Sequence, residues 1–300
     1  YYKKNTANYT VNYYLNGTKI SVDNSINGTA KLGETVTKSP VAITGYTPVS
    51  NDEKSITIGT GTNEINFYYY KNVELTANSY TATYDGNEHS VSGFTGAPDG
   101  AGFRAITVGA AGTNVGTYTA AFADGTVGTV DATGKYIVTA ATDGQLVITP
   151  NTDKVVVTIT ENSGSVKYDG NEHTVTGYKS MTADNTLYDV ATSVQETPTE
   201  AWTAKGTNVG EYPVGIESKD FKNTNANFTN VEFVVVDGAL EITPAPVTLQ
   251  APIASKSYDG TPLEATQFGH SYLEGLDFAD DFESIILTGS QTLVGSSASL

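Results

Sequence analysis

Tyr84-Asp85-Gly86-Asn87-Glu88-His89-Ser90-Val91-Ser92-Gly93-Phe94 returns as Tyr168-Asp169-Gly170-Asn171-Glu172-His173-Thr174-Val175-Thr176-Gly177-Tyr178. A looser copy follows at Tyr258-Asp259-Gly260-Thr261-Pro262-Leu263. Other echoes keep the same order. Gly112-Thr113-Asn114-Val115-Gly116-Thr117-Tyr118 recurs as Gly206-Thr207-Asn208-Val209-Gly210-Glu211-Tyr212. Asp143-Gly144-Gln145-Leu146-Val147-Ile148-Thr149-Pro150 recurs as Asp237-Gly238-Ala239-Leu240-Glu241-Ile242-Thr243-Pro244. The copies starting at Tyr84, Tyr168 and Tyr258 stand 84 and then 90 positions apart. That period is too long for one turn of a solenoid and suits a small module with its own core. Chains built this way extend, display or bind multivalently more often than they catalyse.

The composition points to an all-β chain. It is rich in Thr, Val and Gly, with 19 Tyr and one Met, and it lacks a long helical polar-apolar pattern. β-branched and aromatic residues suit a pleated, half-buried surface. The net charge of −17 speaks against nucleic-acid binding, which needs Lys and Arg to displace counterions, and against docking on an anionic membrane. There is no cysteine, which removes disulfides, zinc thiolates and cysteine nucleophiles from consideration. No stretch is apolar enough to span a bilayer and none has the form of a signal peptide, so no membrane insertion is expected within this fragment. Tyr1-Tyr2-Lys3-Lys4-Asn5 echoes Tyr69-Tyr70-Lys71-Asn72, and the third copy stops short, so we expect a piece of a larger protein.

Five segments are expected. Residues 1–8 end a preceding repeat, 9–72 form a first module, 73–150 and 151–245 form two Tyr-Asp-Gly modules, and 246–300 begin a truncated third. In the first module Val11, Tyr13 and Leu15 alternate with Thr10, Asn12 and Asn16, as in a strand with one buried face. Asn16-Gly17 signals a type I′ hairpin, whose central residues need positive φ. Gly33-Glu34-Thr35-Val36, Ile43-Thr44-Gly45-Tyr46 and the Ile65, Phe67, Tyr69 alternation are assigned to further strands. In the second module Val73, Leu75 and Ala77 share one phase and Tyr80, Ala82 and Tyr84 the other, which predicts a bulge near Asn78-Ser79. Strands are expected at 106–108, 117–122, 136–140 and 145–148, and again at Val155-Val157-Ile159 and Val231-Phe233-Val235. Pro150 and Pro244 end strands and stiffen short linkers, which predicts a semi-rigid, elongated rod. Leu276, Ala279, Phe282 and Ile286 are spaced for a short helix.

The first module resembles the MucBP (mucin-binding-protein) repeats of Gram-positive surface proteins. Tyr9-Thr10-Val11-Asn12-Tyr13-Tyr14, the Gly33-Glu34-Thr35 turn, Ile43-Thr44-Gly45-Tyr46 and Asn66-Phe67-Tyr68-Tyr69-Tyr70 carry the likeness. It departs in placing Asn16-Gly17 where that family often has a longer acidic turn. The likeness implies a β-grasp-like unit and adhesion to mucus glycoproteins. The later modules resemble MBG or YDG-type repeats of bacterial surface and filamentous adhesion proteins, through Tyr-Asp-Gly, Asn-Val-Gly-x-Tyr and Asp-Gly-x-Leu-x-Ile-Thr-Pro. Their closure is left open between a β-grasp variant and an immunoglobulin-like sandwich.

Few residues point to chemistry. His89 and His173 follow Glu88 and Glu172, but one pair per copy supplies too few ligands for a metal or catalytic centre. Asp85-Gly86, Asp169-Gly170 and Asp259-Gly260 offer one carboxylate each, whereas calcium needs six or more oxygens; turn chemistry accounts for them. No nucleophile elbow, Walker loop or Rossmann fingerprint occurs. No catalytic residue, metal or cofactor is expected. Lys167 and Lys256 raise an internal Lys-Asn crosslink, yet Thr83 holds the place of Lys167 in the first copy. From Phe94 to Gly112 is 18 positions but from Tyr178 to Gly206 is 28, so the second Tyr-Asp-Gly module carries an insertion. Trp202, the only tryptophan, falls in it with Tyr188. Either Trp202 plugs its module's core or, with Tyr188 on the inserted loop, it forms a ligand-contact surface. Alternation puts Tyr14, Tyr68 and Tyr70 on the face opposite Tyr13, Phe67 and Tyr69, as a second candidate strip. The expected function is that of a non-enzymatic, monomeric adhesion region on a Gram-positive cell surface, contacting host mucin or glycoprotein glycans weakly and multivalently. The rivals are a structural stalk holding a distal head, and an ancillary region of a large surface glycosidase.

Overall fold

The computed structural model describes residues 5–20, 27–198, 202–246, 248–250, 254–263, 269–271 and 295. It is mainly β, in several sheets, and divides into two compact units, Tyr1–Asn151 and Thr152–Leu300. The helix expected over 276–286 lies outside the described residues. Among the described residues no helix is long and apolar enough to cross a membrane.

The first unit opens with strands β1 (Thr6–Leu15), β2 (Thr18–Lys19), β3 (Asn27–Lys31), β4 (Thr35–Lys38), β5 (Tyr46–Pro48), β6 (Lys54–Thr57) and β7 (Glu64–Ala77). Asn16 and Gly17 take φ of 46° and 81°, the positive values of the expected hairpin, and Leu15 pairs with Thr18 across it. Ile43-Thr44-Gly45-Tyr46, assigned above to a strand, makes a turn instead: Gly45 has φ 81° and the Tyr46 amide donates to the Ile43 carbonyl at 3.0 Å. β1 and β7 run parallel, with Val11 opposite Ile65 and Tyr13 opposite Phe67. Their inward side chains, with Tyr9, Ile58 and Tyr69, make one apolar core.

β7 does not end at the expected border. It continues for 14 residues through Asn72, and its far half pairs with other strands. These are β8 (Tyr80–Thr83), β9 (His89–Ser92), β10 (Phe94–Thr95), β11 (Val108–Gly112), β12 (Gly116–Phe122), β13 (Tyr136–Thr142) and β14 (Gly144–Thr149). The far half of β7 pairs parallel with β13 and antiparallel with β10, while β8, β14, β12, β11 and β9 form a second sheet. Val73, Leu75, Phe103 and Val138 form a core distinct from that of the first module, so one strand serves two interiors. Lys71, at their boundary, is exposed and registers with both Tyr46 and Tyr136.

The phase slip at Asn78-Ser79 is a change of sheet and not a bulge. β7 stops at Ala77, and after two residues the chain resumes as β8 beside β14. Gly144 stands against the crossing: a Cβ there would lie 2.2 Å from the Asn78 carbonyl oxygen, which is why Asp-Gly recurs before the final strand.

The second unit repeats this plan. Its elements are β15 (Val155–Glu161), β16 (Gly164–Lys167), β17 (His173–Thr176), β18 (Tyr178–Ala183), the single turn α1 (Val190–Ser193), β19 (Val194–Glu196), β20 (Thr203–Gly206), β21 (Gly210–Pro213), a 3₁₀ turn at Ser218–Asp220, β22 (Phe221–Asn223), β23 (Val231–Val236) and β24 (Ala239–Thr243). β15 pairs parallel with β23 and antiparallel with β18; β16 pairs parallel with β24, β24 antiparallel with β21, and β17 with β20. Each pairing has its counterpart in the first unit. Asn162 repeats the crossing of Asn78, and Gly238 would put a Cβ 2.2 Å from the Asn162 carbonyl oxygen. Val155, Val157 and Ile159 are fully buried, a burial that stabilises by about 1.5–3 kcal/mol per side chain. The insertion supplies α1 and β19, and β19 pairs with β22. Last, β25 (Thr248–Gln250) pairs antiparallel with β26 (Gly269–Ser271).

Candidate functional site

The repeated motifs are consumed by turns. In each Tyr-Asp-Gly copy the glycine has φ near +80° (82°, 80° and 79° at Gly86, Gly170 and Gly260), a region where a Cβ is strained. The aspartate caps the turn. Asp85 Oδ1 accepts from the Asn87 amide at 2.9 Å and faces His89 Nε2 at 3.0 Å, and Asp169 does the same with Asn171 and His173 at 2.9 and 2.8 Å. Asp259 accepts from the Thr261 amide and pairs with Lys256 at 2.9 Å, so a lysine stands in for the histidine. The Asn87 amide, then the Asn87 side chain and, more weakly, His89 hold the Asp85 carboxyl below the usual carboxylate range against the opposing effect of desolvation. His89 and His173 are therefore partners of a turn carboxylate. Lys256, raised above for a crosslink, is engaged by Asp259 and Thr261.

The Gly-Thr-Asn-Val-Gly-x-Tyr motif has an equally local role. The Tyr118 ring covers Gly112, where a Cβ would lie 2.3 Å from it, and its hydroxyl donates to the Asn114 carbonyl at 2.8 Å. Tyr212 covers Gly206 at the same 2.3 Å and donates to the Asn208 carbonyl at 3.0 Å.

Of the five aromatic candidates, the structure puts two inside. Trp202 is 8% exposed, stacks on Phe221 (5.5 Å, 26°), meets Tyr178 edge-on and donates Nε1–H to Asp220 Oδ2 at 2.9 Å. Tyr188 is 3% exposed, packs edge-on against Phe228 at 5.4 Å and donates to the Ser193 carbonyl and Asn223 Oδ1. Both are buried: the insertion uses these aromatics to build an interior of its own. Tyr178 closes that interior by donating to Glu196 at 2.5 Å. This bond, then burial and the carboxylate's charge, push its hydroxyl up to about 12.

The other three lie on one face of the first module. Tyr14 and Tyr68 sit opposite each other on parallel β1 and β7, their rings 5.7 Å apart at 28°. Tyr68 is 48% exposed; Tyr14 and Tyr70 are half-buried. Lys54 is pinned beside them, donating to the Asn66 carbonyl at 2.7 Å with its ammonium 5.2 Å from the Tyr68 ring centre. At the inner end Asn12 donates to Asn66 Oδ1 at 2.9 Å and is buried. The strip offers ring edges, hydroxyls and one cation, a set suited to hydrogen-bonding a polar, hydroxyl-rich ligand.

Sequence reasoning missed three buried carboxylates. Glu161 occupies the place of Ala77 and accepts from the Ile216 and Gly238 amides at 2.6 and 2.7 Å. Asp220 caps its 3₁₀ turn, accepting from the Glu217 amide as well as Trp202. Asp131 accepts from the Gly102, Thr133, Lys135 and Tyr136 amides and the Thr133 hydroxyl. A charged residue at an inward position, as in Val155-Val157-Ile159-Glu161, was the available signal. All three are surrounded by N–H or O–H donors, so they are structural acceptors. Among the described residues no three His, Cys, Asp or Glu side chains converge to hold a metal ion. Comparison with protein-family models and with curated proteins finds no match to this chain.

Proposed function

We propose that this chain is a non-enzymatic adhesion region of a Gram-positive bacterial surface protein. Residues 9–72 would act as a MucBP-like module and 73–150, 151–245 and 246–300 as MBG/YDG-type modules, strung as an extracellular rod at the cell wall. Its partners would be mucin or other glycoprotein glycans, bound weakly at each module and strengthened by repetition. The observation carrying this reading is the paired Tyr14 and Tyr68, with Tyr70 and Lys54 beside them, left partly open while the repeated motifs are spent on turns. Capture of the chain on immobilised mucin tests it: wild type should bind with a high-micromolar Kd, and Tyr68→Ala should weaken capture about tenfold. A second reading, a stalk that only projects a distal head, is favoured by the burial of Trp202 and Tyr188. Absence of capture by the wild type would select it. Small-angle scattering tests the rod, since a compact envelope would rule it out.

A further inference from the structure

We propose that the outer edge of β23 is a pairing edge for the same strand of a second copy of this chain. The two repeats treat this edge differently. In the first unit the equivalent strand β13 is capped by the loop before it. The Gly128 amide donates to the Val138 carbonyl at 2.8 Å, the Val138 amide to the Thr129 carbonyl at 3.0 Å, and the Asp131 amide to the Tyr136 carbonyl at 3.0 Å. In the second unit the corresponding loop still packs on β23, through its 3₁₀ turn and the Phe221–Phe233 stack. Among the described residues it makes no hydrogen bonds like those that cap β13, because β22 pairs with β19 of the insertion. The Thr197 and Thr224 amides extend that ladder onto Asp220 and Ser193.

The bare groups can be named. The Val155 amide donates to the Asn230 carbonyl, and Val155 registers with Val231. In a parallel ladder this turns the amides of Glu232, Val234 and Val236 toward β15 and those of Val231, Phe233 and Val235 outward. Val231 and Phe233 stand where Tyr136 and Val138 are capped in the first unit. Among the described residues, the outward backbone groups of β23 have no protein partner. The strand is six residues long and carries neither proline nor lysine, the usual protections of an edge, and Val234 and Val236 are 38% and 47% exposed on its solvent face.

A second copy fits this edge through a two-fold axis. Antiparallel pairing centred on Phe233 would set Val231 opposite Val235 and exchange about six hydrogen bonds, satisfying both copies at once. Glu232 would then face Val234 and Asn230 would face Val236, so no like charges stand opposite each other. Lys154, 2.5 Å from Glu232, already neutralises the one carboxylate on the strand. This departs from the monomer expected from sequence. The chain's net charge of −17 makes the association weak at low salt and firmer as salt is raised.

Sedimentation of the full chain across concentration, at low and high salt, tests this. Wild type should dimerise more strongly at high salt. Val235→Pro removes an outward amide, and Val234→Glu sets a carboxylate opposite the partner's Glu232; each should weaken the dimer about tenfold. Val234→Lys sets a cation there and should leave the dimer at least as tight. Trp202 emission, which reports the Trp202–Phe221–Phe233 stack, verifies that each variant is folded. A wild type that stays monomeric overturns the proposal, as does a dimer indifferent to Val234→Glu. A monomer that takes up an extended peptide at this edge overturns it too and assigns the edge to a foreign strand.

Discussion

Replacing Asp131 by Asn should release the loop that caps β13, although the two side chains have nearly the same shape. Asp131 Oδ1 accepts from the Lys135 and Tyr136 amides, both at 2.9 Å. Oδ2 accepts from the Gly102 and Thr133 amides at 3.1 and 3.0 Å and from the Thr133 hydroxyl at 2.6 Å. Whichever way an asparagine turns, its NH₂ faces at least two N–H donors. Hydrogen bonds to a charged acceptor contribute about 1.5–3 kcal/mol each, so losing two gives a local cost of about 3–6 kcal/mol. Hydrogen exchange reads this directly. The Gly128, Asp131 and Val138 amides should exchange about 100-fold faster or more in Asp131→Asn, since each 1.4 kcal/mol is a factor of ten.

The pH dependence follows from the same geometry. Burial alone would raise the Asp131 carboxyl, but the Thr133 hydroxyl and the Tyr136, Gly102 and Thr133 amides outweigh it and hold the group well below the usual carboxylate range. A carboxyl depressed on folding stabilises above its unfolded pKa of about 3.9, and that contribution fades as pH falls toward the folded value. The difference between wild type and Asp131→Asn should therefore be full at pH 7 and shrink as the solution is acidified below about pH 4. Exchange rates within threefold of wild type at pH 7 would refute the reasoning.

Three other outcomes follow from the geometry. Gly238→Ala, whose Cβ would meet the Asn162 carbonyl oxygen at 2.2 Å, should cost about 2–3 kcal/mol in denaturant unfolding, with Gly144→Ala alike in the first unit. Tyr212→Phe removes the hydroxyl that caps the Asn208 carbonyl and should lower stability by about 0.5–1.5 kcal/mol, read from the unfolding midpoint. Trp202→Phe leaves Asp220 without its indole donor and opens a gap beside Phe221. It should cost about 2–4 kcal/mol yet leave mucin capture unchanged.

The local chemistry was legible and the long-range pairing was not. Alternation located β1, β7 and β15, and Asn16-Gly17 identified its hairpin, because both depend only on neighbouring residues. The slip at Asn78-Ser79 was visible as a change of phase. Its meaning depends on β13 and β14, more than 55 residues away, so a bulge was the local reading of a change of sheet. The continuity of β7 was hidden for a related reason: Asn72 marks the end of one motif, but nothing in its neighbourhood ends a strand. The Tyr14–Tyr68 pair followed from the strand period once β1 and β7 were known to be neighbours. Burial of Trp202 and Tyr188 rests on partners such as Asp220 and Asn223, which only the folded insertion brings to them.

The most direct test of the proposed role is an NMR titration of the labelled chain with a mucin-type O-glycopeptide. Shift changes should saturate at high micromolar to millimolar ligand and cluster at Tyr14, Lys54, Tyr68 and Tyr70, and the Tyr68→Ala chain should lose them. Changes confined to the insertion around Trp202, or a spectrum that ligand leaves untouched, would contradict the account.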